Sequence, residues 1–121
     1  MSDDLNELVA DLTRAASVAP AQARAVVIRG ALNVQRDARR FASGIGHAPH
    51  YPRSITFDAT VTRTAIEAEI GPDKDRTQGA LGNILEYGTS KNAPIAHLGP
   101  ALEREAPRFA AAIEALIEDV L

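Results

Sequence analysis

Two short runs in which apolar and polar residues alternate constrain the fold of this chain more than any other feature. The apolar positions are Ile55, Phe57, Ala59 and Val61 in the first run and Ile66, Ala68 and Ile70 in the second. Alternation with a period of two predicts strands that bury one face and expose the other. Because Arg63 and Thr64 lie between the runs, we predict a β-hairpin that turns at these residues.

A segment with helical periodicity opens the chain. Its apolar positions are Leu5, Leu8, Val9 and Leu12. Spacings of three and four residues place these side chains on one face of a helix. Ser2 or Asp3 can cap this helix, which should end near residues 17–19 because Pro20 restricts the residue before it.

A second helix is predicted to begin at Pro20, since proline suits the first position of a helix. Its apolar stripe consists of Ala23, Val26, Val27, Gly30, Ala31, Val34, Ala38 and Phe41. Its opposite face carries Arg24, Arg29, Gln35, Arg36, Arg39 and Arg40. Gly30 lies within the stripe, which favours a point of close packing over a break in the helix.

The composition predicts two loops and a short third element. Residues 43–52 are rich in Gly, His and Pro, and residues 71–76 are polar, so both segments are predicted to be loops. Residues 81–87 fit either a strand or a short helix, and we favour the helix. Gly88 should close this element with a positive φ, which glycine adopts at little cost.

The last helix is predicted to begin at Pro100. Its inner face would consist of Leu102, Phe109, Ile113, Leu116, Ile117 and Val120. Pro107 falls in its first turns, where it would kink the helix or delay its start.

These elements predict an α+β fold. N-terminal helices and a C-terminal helix would pack on one face of a small antiparallel sheet, made of the hairpin and the short third element. A length of 121 residues suits one domain spanning residues 1–121.

Composition excludes several functional classes. The net charge of −3 disfavours a general nucleic-acid binder, which needs a basic excess to neutralise phosphates. The absence of cysteine excludes disulfides and thiol chemistry. No apolar run approaches the length of a membrane span, and the acidic N-terminus does not resemble a signal peptide. We therefore expect a soluble protein, cytoplasmic where it is made, with no membrane partner.

No residue pattern indicates catalysis or a cofactor. The three histidines, His47, His50 and His97, are predicted to lie in surface loops, and a zinc site would need them to converge with a further ligand such as Glu86. Glu67 and Glu69 fall on the solvated face of the second strand. There is no nucleophile elbow and no phosphate-binding loop. The chain is therefore predicted not to be an enzyme, and no metal or cofactor is expected.

The most specific motif follows the hairpin. It begins with a turn made of an acidic residue, an aromatic residue, a glycine and a threonine. A loop that contains a proline follows, and then a Pro-Ala step that opens a helix. The residues are Glu86, Tyr87, Gly88, Thr89, Pro94, Pro100 and Ala101. This order resembles the gene-product-ten-like tail-component family of long-tailed phages. The loop before the hairpin keeps that family's Pro49, Arg53, Ser54 and Ile55 but lacks its Thr-Gly-x-Leu core.

The resemblance implies a structural subunit of the phage neck, the connector between head and tail. Such a subunit would form a homo-oligomeric ring, a hexamer or dodecamer, assembled in the host cytoplasm and retained in the virion. Its neighbours would be the head connector or stopper and the tail terminator or tail-tube proteins. Double-stranded DNA would pass through the lumen without sequence-specific binding. A tail terminator or tail-completion protein is an alternative, and a small DNA-associated binding or regulatory protein is an alternative of another class.

Two surfaces are predicted to contact neighbouring subunits. The arginine face of the second helix would dock on the acidic C-terminal helix, which carries Glu103, Glu105, Glu114, Glu118 and Asp119. Residues 90–98 would form an exposed arm, with Tyr87 anchored in the core and Thr89 or Ser90 capping the loop. The candidate contact residues are Arg29, Arg36, Arg39, Arg40, Glu86, Tyr87, Gly88, Thr89, Lys91, His97, Glu114 and Glu118.

Overall fold

The computed structural model describes residues 10, 13–14, 16–61, 66–91 and 93–120, and it confirms the predicted mixture of helices and antiparallel strands. Residues 10, 13–14 and 16–18 are helical, whereas the rest of the predicted first helix and the Arg63-Thr64 turn lie outside the described residues. The main elements are α1 (Pro20–Phe41), β1 (Ile55–Val61), β2 (Ile66–Pro72), α2 (Gly82–Tyr87) and α3 (Leu98–Val120). Single 3₁₀ turns at Tyr51–Ser54 and Gly79–Leu81 precede β1 and α2.

The helix α1 is the element on which the others pack. It contacts both strands and α3. Its predicted inner stripe is buried at Ala23, Val27, Ala31, Val34 and Ala38, with Gly30 among them. A Cβ atom added to Gly30 would lie 3.0 Å from Cδ1 of Phe109, so glycine allows α3 to approach closely here.

The sheet consists of two antiparallel strands. Phe57 pairs with Ile70 and Ala59 with Ala68, and these residues form the face turned towards α1. A two-stranded hairpin is marginally stable by itself, so the helix behind it supplies the burial that the hairpin needs. The third element is the short helix α2, as favoured from the sequence, but the prediction that it forms part of the sheet was wrong, because a helix has no free backbone groups to pair with a strand.

Two apolar clusters form the core. One surrounds Tyr51 and Ile55 and includes Leu85 and Ala101, so it joins the loop before β1 to α2 and the start of α3. The other joins Val27 to residues of β2 and of the C-terminal half of α3. Each cluster therefore spans at least three elements that are distant in sequence.

The structure of α3 differs from the prediction at its start and at Leu102. The helix begins at Leu98, so Pro100 lies in its first turn, where a backbone N–H has no helical acceptor to lose. It also continues through Pro107, and the buried residues Ile113 and Leu116 follow the proline. Leu102, expected on the inner face, is 60% exposed.

Among the described glycines, Gly79 has the closest contact with neighbouring backbone. A Cβ atom added there would lie 1.8 Å from the carbonyl oxygen of Asp73. The same segment is tied to β1, since the backbone N–H of Asp73 donates a hydrogen bond to the carbonyl oxygen of Ser54 at 2.7 Å. Glycine at this position thus lets the loop close over the start of the hairpin.

We predict that Gly79→Ala lowers the free energy of unfolding by about 1–3 kcal/mol, because the new methyl group displaces backbone rather than a flexible side chain. Gly46→Ala is the matched control, since a Cβ atom at Gly46 meets nothing within 4 Å. Urea denaturation of both variants checks this. Equal stabilities for the two variants would contradict the close approach at Gly79.

Candidate functional site

Glu86 joins the motif turn to the last helix. Its Oε1 atom accepts hydrogen bonds from the backbone N–H groups of Leu98 at 2.8 Å and His97 at 3.2 Å, and Oε2 accepts one from Gly99 at 3.3 Å. These N–H groups open α3, where the helix leaves its donors without partners and a negative charge is favoured. The two parts of the sequence motif are therefore in direct contact, with Glu86 as the cap of α3 rather than an outward contact residue.

The turn after Glu86 is built by glycine and threonine. Gly88 has a φ of 76°, as predicted, and its N–H donates to the carbonyl oxygen of Ile84 at 2.8 Å. The Thr89 hydroxyl accepts a hydrogen bond from the N–H of Lys91 at 3.3 Å, which confirms its predicted role in the loop.

Tyr87 does not anchor the core. Its side chain is 78% exposed, whereas Leu85 is buried. The physical reason is helical geometry, since residues two positions apart on α2 point about 200° apart around the axis. The aromatic residue of the motif thus lies on the surface, where it is available to a partner.

His97 is buried, contrary to the prediction that it lies in a surface loop. Its Nε2 atom is 2.7 Å from the Tyr51 hydroxyl, and Nδ1 is 2.9 Å from the carbonyl oxygen of Ile95 and 3.2 Å from Oε1 of Glu86. Burial, together with the charge of Glu86, raises the pKa of Tyr51 to about 12, so the phenol stays protonated. This network fixes the end of the loop against the core.

The loop before α3 is exposed over part of its predicted extent. Residues 90–91 and 93–94 are exposed. Ile95 returns to the core, and its N–H donates to the carbonyl oxygen of Leu85 at 2.7 Å. The surface available to a partner is therefore Tyr87 and the loop tip with Lys91, not the whole segment to residue 98.

A charged network lies between α1 and α3, with Asp37 at its centre. The side chain of Asp37 is 2% exposed, and its carboxylate faces four guanidinium groups. Nη2 of Arg108 donates to Oδ2 at 3.0 Å. The other three guanidinium groups lie 3.5–3.8 Å away and belong to Arg36, Arg40 and Arg104.

Burial alone would raise the pKa of Asp37, but its arginine partners outweigh that effect. The hydrogen bond from Arg108 and the charges of Arg36 and Arg104 hold the pKa below the usual aspartate value. The carboxylate is therefore ionised and organises the guanidinium groups around it.

The four arginines around Asp37, Arg36, Arg40, Arg104 and Arg108, are named the arginine cluster. Glu105 is the second carboxylate of the network, with Oε1 2.9 Å from Nε of Arg108 and Oε2 accepting a hydrogen bond from Asn33 at 3.1 Å. Four cations thus face two anions. The exposed guanidinium groups form a surface with an excess of positive charge.

The predicted contact residues divide into inward and outward groups. Arg39 donates to the carbonyl oxygen of Ile55 through Nε at 3.1 Å and Nη2 at 2.9 Å, so it holds β1 on α1. Arg39 and Glu86 are half-buried and have partners within the chain, whereas the full burial of His97 contradicts its predicted place on the surface. Arg29, Glu114 and Glu118 are exposed, with the two glutamates on the C-terminal half of α3.

Sequence reasoning missed Asp37, Arg104 and Arg108. Arg36 and Arg40, like Arg104 and Arg108, are four residues apart, and this spacing places each pair on one helix face. Asp37 sits beside the apolar stripe of α1. Two pairs of arginines and a nearby aspartate suggest a carboxylate that several guanidinium groups share. The sequence does not reveal, however, that α1 and α3 are neighbours.

Two further expectations concern metals and membranes. Within the described residues, no group of three histidine or acidic side chains converges as metal ligands would. In the same part of the chain, no helix has both the length and the apolar character to cross a membrane.

No protein-family model matches the chain, and comparisons with curated proteins and with solved structures find no similar protein. The resemblance to the phage tail-component family therefore rests on the motif residues.

We predict that Glu86→Ala lowers the free energy of unfolding by about 1–2 kcal/mol, because α3 loses the acceptor for its first N–H groups. Glu86→Gln keeps one acceptor oxygen and should lose less. Urea denaturation measures both variants. Glu114→Ala, at an exposed position on α3, is the control, and a loss as large as that of Glu86→Ala would contradict the cap.

Asp37→Asn should be destabilising at neutral pH, by about 1.5–3 kcal/mol for each charge-assisted hydrogen bond that is lost. Because the folded-state pKa of Asp37 is lowered, its contribution is fully present above the unfolded-state pKa of about 3.9. The contribution disappears as the pH falls through the folded-state pKa.

The test compares the unfolding free energies of wild type and Asp37→Asn at pH 7 and at pH values below about 4. The difference should shrink in acid, where the wild-type carboxyl becomes neutral like the amide. A difference that is independent of pH would show that the charge of Asp37 contributes nothing.

Proposed function

We propose that this protein is a structural subunit of a bacteriophage neck, which forms a ring between the DNA-filled head and the tail. The observation that carries the proposal is the contact between the two parts of the motif. Glu86 of the Glu-Tyr-Gly-Thr turn caps the helix that the Pro-Ala step opens. The residues that carry the resemblance act as one structural unit in this chain, which supports treating them as a single motif.

Opposite charges on separate surfaces support a role in assembly. The arginine cluster is positive on its exposed side, whereas Glu114 and Glu118 are exposed further along α3. Contacts between unlike surfaces of identical subunits lead to rings when the rotation closes. We propose that the cluster docks on an acidic surface of a neighbouring neck component. Exposed Tyr87 and the nearby loop tip would make a second contact.

The proposed partners are other copies of this chain and the head-connector and tail proteins above and below the ring. Genomic DNA would pass through the lumen without sequence-specific binding, and the protein would remain in the virion. A tail terminator or tail-completion protein is the nearest alternative, because it would use the same kind of subunit contact. The arginine cluster also favours a second candidate, a small DNA-associated protein, because guanidinium groups bind phosphates.

Deleting the gene from its phage should leave DNA-filled heads beside separate tails of normal length in electron micrographs of the lysate. Overlong tails would assign the protein to the tail terminator instead. Intact infectious particles would overturn the assembly role. Steeply salt-dependent DNA binding by the isolated protein, together with intact particles, would establish the DNA-associated alternative.

Complementation of the deletion tests the arginine cluster. A variant with Arg36→Gln, Arg40→Gln and Arg104→Gln should fail to restore joined particles, although Arg108 still pairs with Asp37. Glutamine is preferable to glutamate because a new carboxylate beside Asp37 would disturb the fold. The control variant, Arg53→Gln with Lys74→Gln, removes exposed charges elsewhere and should restore infectivity. Rescue by both variants would exclude a docking role for the cluster.

A further inference from the structure

The outward face of α3 carries charges of opposite sign in its two halves. At about 100° per residue, a set of exposed residues lies within about 120° of the helix circumference. They are Arg104, Pro107, Arg108, Ala111, Glu114, Ala115 and Glu118. The basic residues precede Ala111, and the acidic residues follow it. We name this set the α3 face.

The charges of the α3 face are arranged symmetrically about Ala111. Arg104 and Glu118 each lie seven residues from it, in opposite directions. Arg108 and Glu114 each lie three residues from it. If two α3 helices met at Ala111 in antiparallel orientation, each arginine of one copy would be level with a glutamate of the other. Seven residues correspond to about 10 Å along a helix, so the basic and acidic ends are well separated.

This order of charges is unfavourable for a helix that stands alone. The C-terminus of a helix carries a partial negative charge, which favours basic residues in the last turn. The last turn of α3 has no basic residue and contains Glu118 and Asp119. Within the described residues, neither Glu114 nor Glu118 has an ion-pair partner. Basic groups from a second molecule would offset the repulsion at this end of the helix.

The arginines of the α3 face have positive charge to spare. The arginine cluster sets four guanidinium groups against two carboxylates, those of Asp37 and Glu105. Arg104 is 53% exposed, and its Nε atom lies 3.8 Å from Oδ2 of Asp37, whereas Nη2 of Arg108 lies 3.0 Å from the same oxygen. Asp37 thus holds both arginines in position. Contact with a partner therefore orders these side chains at a lower cost in entropy.

The centre of the α3 face allows two helices to approach. Ala111 lies in the middle, and Pro107 and Ala115 lie four residues away on either side. The distance between packed helices depends on the side chains at the contact, and these three are short. The aliphatic stems of the longer arginines can then cover the alanines of a second copy while their charged ends reach its glutamates.

The partner that matches the α3 face is a second copy of the chain. A two-fold contact brings the same surface of both copies together, so such a surface must be complementary to itself. The α3 face meets this condition in the antiparallel orientation. In a parallel pair, arginines would face arginines and glutamates would face glutamates, which is costly.

We propose that two copies of this chain associate through the α3 face, with their α3 helices antiparallel and Ala111 at the two-fold axis. Such a contact closes with two copies and does not propagate. The inference goes beyond the proposed function, because the pair requires neither a ring nor any other phage component. The gene deletion tests the neck role separately.

Analytical ultracentrifugation of the full chain tests the charges. The wild type should form dimers, and the double variant Glu114→Lys with Glu118→Lys should associate at least tenfold more weakly. The matched control, Glu67→Lys with Glu69→Lys, changes the net charge equally at exposed residues of β2 and should dimerise like wild type. Circular dichroism and urea denaturation verify that each variant is folded. A monomeric wild type, or equal association by the two double variants, would overturn the contact.

A cysteine at the two-fold axis tests the orientation. Because the chain has no cysteine, Ala111→Cys introduces a single thiol, which would face its counterpart in the second copy. A disulfide forms only if the two Cα atoms lie within about 7 Å. Oxidised glutathione should therefore convert most of this variant into a covalent dimer on a non-reducing gel. Ala106→Cys, at an exposed alanine on another face of α3, is the matched control and should run as a monomer. Equal cross-linking of the two variants, or none with Ala111→Cys, would exclude the antiparallel pair.

Discussion

The capping of α3 by Glu86 is the interaction on which the arrangement of the C-terminal half depends. One carboxylate satisfies the first backbone N–H groups of a helix of 23 residues and also approaches the ring of His97. His97 in turn meets Tyr51, which begins the turn leading into β1. The start of the hairpin, the motif turn and the last helix are therefore positioned together by charge and hydrogen bonding, within a core that contains few aromatic residues.

The second organising constraint is a set of charges between α1 and α3. Removing Asp37 from water is costly, and its arginines offset that cost only if both helices hold them in place. The relative position of α1 and α3 therefore determines where the guanidinium groups of the arginine cluster lie on the surface. Gly30 contributes from the apolar side, since the close approach of Phe109 determines how near α3 lies to α1. The buried pairing with Asp37 therefore holds the guanidinium groups of the arginine cluster in place at the surface.

The sequence predicted the elements better than their contacts. Alternation at residues 55–61 and 66–70, the stripe of α1 and Pro20 each reflect local geometry, and all were confirmed. Tyr87 and His97 were misplaced because their environments are created by elements distant in the chain. The exposure of Leu102 could not be predicted either, since it depends on the gap between α3 and β2. Asp37 illustrates the same limit, because its partners come from both helices.

The outer face of the hairpin has a consequence for the chain in solution. Asp58 lies directly opposite Glu69, a cross-strand pairing of like charges that costs the hairpin some stability. Exposed strands are templates for unwanted association, and charges on them are a common protection. A protein with uncovered apolar surface is prone to aggregate. The acidic hairpin face therefore makes sheet-to-sheet stacking between copies of this chain unfavourable.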